Sequence, residues 1–197
     1  NDMEWGGLYW SNWAGLSDVT RSMQVQRGLG ASKVSSPSVG GSINIVTKTT
    51  DVKAGGSVSY ALGNDGYNKI MFNVSTGLRN GWAITLLGAK SWGDGYVQGT
   101  EFEAYSYFGN ISKQINENHL LSFTVFGAPQ WHNQRSNYDG LSIAGWQNVE
   151  KYTGRDRQYR YNPTYGFGLH GERKTSSYNK YHKPQISLAH IWQIDKE

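Results

Sequence analysis

Val25-Gln26-Arg27-Gly28-Leu29-Gly30-Ala31-Ser32-Lys33, followed by Gly40-Gly41-Ser42-Ile43-Asn44-Ile45-Val46-Thr47-Lys48, decides the fold of this chain. It joins a glycine-rich turn to a strand that delivers the chain into a long series of alternating segments. Met23 to Arg27 and Ile43 to Lys48 both carry β-formers at period two, so each reads as a strand. Just upstream, Leu16-Ser17-Asp18-Val19-Thr20-Arg21-Ser22 reads as a short helix with Ser17 or Asp18 as its N-cap.

Downstream, period-two patterning predicts six strands, near 57 to 62, 67 to 78, 82 to 92, 104 to 115, 119 to 129 and 184 to 194. Val58, Tyr60 and Leu62 alternate with Ser57, Ser59 and Ala61, and Ile70, Phe72 and Val74 with Lys69, Asn73 and Ser75. Leu121, Phe123 and Val125 alternate with Ser122 and Thr124, and Ile186, Leu188, Trp192 and Ile194 with Gln185, Ser187 and Gln193. One strand departs from this clean pattern: the phase of Trp82, Ile84 and Leu86 also puts Lys90 on the apolar face. Either a bulge near Gly88 or an interfacial position for the lysine is expected. The links alternate in length. Arg79-Asn80-Gly81 and Asn116-Glu117-Asn118 are tight turns for one end of the sheet; Gly63-Asn64-Asp65-Gly66, residues 93 to 103 and a very long loop near 131 to 183 belong to the other.

Composition limits what such strands can build. Hydrophobic residues make up only 37% of the 197 residues, yet aromatics reach 14%, with 8 Trp, 13 Tyr and 25 Gly. Few helical water-soluble domains have that balance, whereas a membrane barrel does, because only alternate residues face lipid and aromatic girdles mark its interfaces. No run of about 18 apolar residues occurs, so a transmembrane helix is excluded. Backbone groups in lipid must be satisfied internally, so a membrane-spanning form of this chain is a closed barrel. Cysteine is absent, which removes disulfides and thiolate metal sites.

The opening stretch resembles the end of the plug domain of TonB-dependent outer-membrane receptors. That family carries hydrophobic-Glu-Val-x-Arg-Gly, a small-residue loop, then Gly-Gly-x-Ile-Asn-Ile-x-Thr-Lys, and Gln24 is the visible departure, standing where the acid is usual. The resemblance implies an all-β membrane protein: part of a large antiparallel transmembrane β-barrel of about 22 strands, with the C-terminal part of a mixed α/β plug domain. Residues 1 to 50 are then the end of the plug and 51 to 197 the first six barrel strands, so the chain is expected to be a fragment.

By the same resemblance, the function is TonB-energised import of a scarce nutrient across the bacterial outer membrane, and the chain is not an enzyme. Ferric siderophore or haem is the first expectation, with cobalamin, an oligosaccharide or a peptide as alternatives. The partners implied are TonB with ExbB and ExbD through a segment absent here, the remainder of the barrel, outer-membrane lipid and lipopolysaccharide, and a surface lipoprotein. Arg27 is placed where the family's arginine lies against barrel acids, a plug-to-barrel contact.

Between 131 and 183 lie nine cations against four anions, giving that loop +5 of a formal total of +4 and leaving −1 for everything else. A basic, aromatic outer loop concentrates an anionic ligand by its field and then stacks on it, so Arg155, Arg157, Arg160, Tyr159 and Tyr161 are candidate ligand residues. The same cations would also pair with lipopolysaccharide phosphates or keep the loop solvated. Trp5, Tyr9, Trp10 and Trp13 crowd into nine positions and form either a stacking platform for ligand or packing between plug and wall. His132, His170 and His182 have no metal-ligand spacing, and no cofactor is expected.

Other function classes fit less well. Gly28-Leu29-Gly30-Ala31-Ser32-Lys33 fails the phosphate-loop spacing, and no Gly-x-Ser-x-Gly nucleophile elbow occurs. Nucleic acid is not an expected partner, because the basic excess belongs to one loop between membrane-type strands. A structural or adhesive barrel is the better rival, and the plug-type motif at Arg27 to Lys48 argues against it.

Overall fold

A computed structural model describes residues 10–13, 15–28, 41–47, 50, 52–135, 142–153 and 158–194. The chain is mostly antiparallel β-sheet with few helices. After one 3-10 turn at Trp10–Trp13, helix α1 (Leu16–Val19) leads straight into β1 (Thr20–Arg27), which pairs antiparallel with β2 (Gly41–Thr47). Arg27 stands opposite Gly41 and Gln24 opposite Asn44, whose amide donates to Gln24 Oε1 at 3.2 Å. The side chain where the resembling family has an acid is thus satisfied by a neutral neighbour in the same hairpin.

The expected N-cap is replaced. Gly15, at φ 86, starts α1 with no side-chain cap, while Asp18 lies inside the helix with its carboxylate 2.8 Å from Lys69 Nζ. A glycine serves because the position is left-handed and because a Cβ there would come within 2.4 Å of Ser106 Oγ.

The second sheet contains all six expected strands. β3 (Gly55–Leu62), β4 (Asn68–Ser75), β5 (Trp82–Gly93), β6 (Phe102–Gln114) and β7 (His119–Gly127) follow one another as an antiparallel meander. Beyond β7 come β8 (Gln130–Asn133), helix α2 (Ile143–Thr153), the short hairpin of β9 (Tyr165–Phe167) and β10 (Arg173–Thr175), then β11 (Tyr178–Tyr181) and β12 (Gln185–Trp192). β12 pairs with β7 and β11 with β8. The sheet is open: among the described residues β3 is one edge, and β11 and β12 form the other.

This pairing corrects the expected extent of the long loop. Tyr181 stands opposite Gln130 and Gln185 opposite Phe126, four residues on in each strand, so one register runs through both pieces. β7 with β8, and β11 with β12, are therefore two long strands interrupted beside Pro129 and Pro184, which have no N–H to give the ladder. The loop proper begins after Asn133 and ends before Tyr178.

The two faces differ as the alternation requires. On the face where α1 packs, here the inner face, lie Ser75, Thr85, Ser106, Asn110, Ser112 and Ser122, all buried. Asn110 and Ser112 are wholly buried yet satisfied, since Asn110 Nδ2 donates to Ser122 Oγ and Thr124 Oγ1 at 2.8 Å and Ser112 Oγ donates to Asn110 Oδ1 at 2.8 Å. On the outer face Val58, Phe72, Val74, Ile84, Leu86, Ile111, Phe123, Ile186 and Leu188 are all exposed. No bulge occurs at Gly88: β5 pairs without slip to both neighbours, and the Phe72 ring lies across the glycine, where a Cβ would meet it at 2.5 Å. Lys90 keeps the outer phase, bonded to Glu103 at 2.9 Å and held over the rings of Trp92 and Tyr105.

The tight turns occupy one end. At Arg79–Trp82 two reciprocal backbone bonds close the hairpin with Asn80 at φ 52 and Gly81 at φ 75, the geometry of a type I′ turn. At the other turn Asn116 Oδ1 accepts from the N–H groups of Asn118 and His119 at 2.9 Å. The loops 63–66 and 94–101 and the described parts of 134–177 lie together at the opposite end, where Asp94 N–H donates to Asp65 O at 3.0 Å.

Candidate functional site

Two assemblies carry chemistry: the seam where α1 meets the inner face, and the loop cluster at the long end. The seam starts from a break in the alternation. Leu87, Phe108 and Phe126 are apolar residues in the inner phase, each next to an apolar outer residue, and with Met71 they make an apolar island on an otherwise polar wall. Val19 at the end of α1 is 1% exposed against this island, with Trp13 and Leu16 packed beside it. Burying Val19 contributes on the order of 1.5 kcal/mol or more. The Asp18–Lys69 pair, with both side chains mostly buried, closes the rim of the contact. Next to the island a cavity of about 770 Å³ opens between Ile43 and Ile45 of β2 and Thr124 and Gln185 of the wall.

In the loop cluster three links pack on one another. Arg160 Nη1 lies 2.7 Å from Asp65 Oδ1, and its guanidinium sits 4.6 Å over the Tyr96 ring. Gln98 N–H donates to Arg160 O at 2.8 Å, and Asn162, wholly buried, donates to Gln98 O at 2.9 Å and accepts from Thr164. Arg135 Nη1 donates to the carbonyls of Tyr159 and Tyr161 at 3.2 Å while its guanidinium covers the Trp146 ring at 4.9 Å. Two cavities of about 400 and 390 Å³ share Tyr96 and Val97. The first is lined by Arg135, Ile143, Trp146 and Tyr159, the second by Glu101, Arg160, Tyr165, Phe167 and Arg173. Both have volumes that suit a small-molecule ligand.

The charges in this cluster are largely matched. Asp65 meets Arg160, and Glu101 meets Arg173 at 3.1 Å. Arg135 differs: its partners are two carbonyls and an indole, and among the described residues no carboxylate joins it. In the β9–β10 hairpin the Glu172 carboxyl is held below its usual range, first by its own backbone N–H and then by the Lys174 ammonium at 3.1 Å. Among the described residues no cluster of three metal-ligating side chains occurs.

The structure brings together Arg160, Tyr159 and Tyr161 of the expected ligand residues. Trp13 belongs to the seam and Trp10 to the turn before it. Arg27 is exposed at the end of β1. Trp5, Tyr9, Arg155 and Arg157 lie outside the described residues. Sequence reasoning missed Arg135, Tyr96 and Trp146 as cavity residues, and Asp18 and Lys69 as the ion pair of the seam. The doublets Leu86-Leu87, Tyr107-Phe108 and Val125-Phe126 were the available signal for the island, since each puts a hydrophobe on both faces at once.

Among the described residues no helix is long and apolar enough to cross a membrane, a criterion that does not address strands. The vitamin B12 transporter BtuB of Vibrio vulnificus (strain CMCP6) is 22% identical to this chain over 128 residues, covering 61% of the chain and 20% of the transporter. The chain spans about a fifth of the length of that relative. No protein-family profile matches the chain, and no solved structure matches it.

Proposed function

We propose that the chain is part of a TonB-dependent importer of the bacterial outer membrane, with residues 1 to 50 ending its plug and 51 to 197 beginning a barrel of about 22 strands. The carrying observation is the six-stranded meander, apolar outside and polar inside, with α1 docked on its inner face. Trp82 and Trp92 mark two outer-face levels ten residues apart on β5. That is about 33 Å along a strand and about 25 Å across a membrane at a tilt of about 40°, the height of a barrel's apolar band. Similarity to a vitamin B12 transporter supports the same reading. Such a protein moves cargo without making or breaking bonds, and its partners are TonB with ExbB and ExbD, the rest of the barrel, and lipid with lipopolysaccharide.

The cargo is a bulky nutrient received by the loop cluster. Ferric siderophore or haem is the first class, from the aromatic cavities and the basic loop; cobalamin is the second, from the relative's stated substrate. Arg160 is matched by Asp65, so Arg135 with Trp146 and Tyr159 is the better contact for an anionic, partly aromatic ligand. Deleting the full-length protein from its host tests the reading: growth should fail under limitation of one of these nutrients and return with the gene only when TonB is present. Unchanged uptake of iron chelates, haem and cobalamin in the deletion strain would reject it in favour of a structural or adhesive barrel.

A further inference from the structure

We propose that His119 and His190 form a two-histidine binding site for a divalent transition-metal ion, copper(II) in the first place, on the outer face beside the tight-turn end. His119 opens β7 directly after the 116–118 turn, and His190 lies on the neighbouring β12, diagonal to it in a ladder that pairs without interruption from Gln185 to Trp192. His119 Nδ1 stands 3.0 Å from His190 Nε2 with the two rings within 3° of coplanar. Trp192, directly opposite His119, stacks on its ring at 5.5 Å.

That separation has a chemical meaning. Two nitrogens each about 2.1 Å from one ion and at right angles to each other lie about 3.0 Å apart. Right-angled nitrogen pairs suit tetragonal copper(II) and nickel(II), and copper(II) binds nitrogen ligands more tightly than its neighbours in the series. In the metal-free pair one imidazole N–H donates to the other ring's lone pair. Binding needs both lone pairs, so the donor ring shifts its proton to its other nitrogen and the rings turn toward a common point. Among the described residues no carboxylate joins the pair, and water completes the coordination sphere. The site lies at the edge of the apolar band, level with Trp82, and is reached from the adjoining turn 115–118, which is exposed throughout. The bound ion would strap β12 to β7 across the sheet, and this role is independent of what the protein transports.

The test uses the full-length protein in detergent micelles, titrated with copper(II) and followed by electron paramagnetic resonance. The parent protein should show one copper signal with splitting from two nitrogens, and His119→Asn or His190→Asn should each weaken that site at least tenfold. Copper should also raise the unfolding temperature of the parent and not of either variant. A two-nitrogen signal that survives in both variants, or no such signal in the parent, overturns the proposal.

Discussion

Asp18 Oδ2 lies 2.8 Å from Lys69 Nζ, so a four-residue helix is tied by charge to the second strand of the wall it packs on. The two side chains are 16% and 27% exposed, which places the pair between the weak surface class and the costly buried one. Lys69→Glu or Asp18→Lys alone should weaken docking of α1 by about 1 to 3 kcal/mol. The double reversal should restore most of it. Protease cleavage near Gly15 in the folded protein reads the docked fraction, and a double variant no better than the singles would remove the pair from the seam.

Gly15→Val should undock the same segment for a different reason. Its Cβ would strike Ser106 Oγ and its φ of 86 is poor for a branched residue. Adding Ser106→Gly should recover part of the docking by removing the collision and leaving the backbone strain. Complete recovery would show that the strain costs nothing.

In the loop cluster Arg135→Ser and Trp146→Ala should each weaken cargo binding by about tenfold while leaving barrel assembly unchanged. Replacing Arg155, Arg157 and Arg160 together by Ser should also weaken an anionic ligand, but part of that loss should come from loop order, because Asp65 is left without its cation. Asp65→Asn separates the two causes. If it reproduces the whole loss, the arginines act through the loop and not on the ligand.

The Glu172 carboxyl, lowered from its reference of 4.5, stabilises the β9–β10 hairpin only while ionised. Its contribution is present above the unfolded value and is lost as pH falls through the lower folded one. Hydrogen exchange at the His170 amide, which donates to Glu172 Oε2 at 3.1 Å, should stay protected as pH falls from about 7 to the reference value of 4.5 and lose protection only below it. Glu172→Gln should remove that dependence.

The strands were legible because, away from the three apolar doublets, an outer hydrophobe is followed by a small or polar inner residue, a pattern local enough to read from sequence. The type I′ turn at Asn80-Gly81 was legible for the same reason. Pairing between distant segments was not: nothing local announces that Tyr178 to Tyr181 continues β12 or that Asp18 meets Lys69, fifty-one residues away. Arg160 could be counted as a cation but not as one already matched, since Asp65 lies in a different loop. The helix cap failed similarly, because the wall at Ser106 selects glycine at position 15 and leaves Asp18 for the lysine.

The interruption at Pro129 and Pro184 gives the long hairpin a mechanical character. One rung of the ladder is weakened there, yet the register is kept on both sides, and a slip by one residue would turn every side chain to the wrong face. Sliding is therefore forbidden, and the piece beyond the prolines stays anchored to β6, where Tyr105 N–H donates to Pro129 O at 2.8 Å. The cavities beyond that rung keep their place along the strands, bounded on one side by the hairpin and on the other by Tyr96 and Val97 of the neighbouring loop.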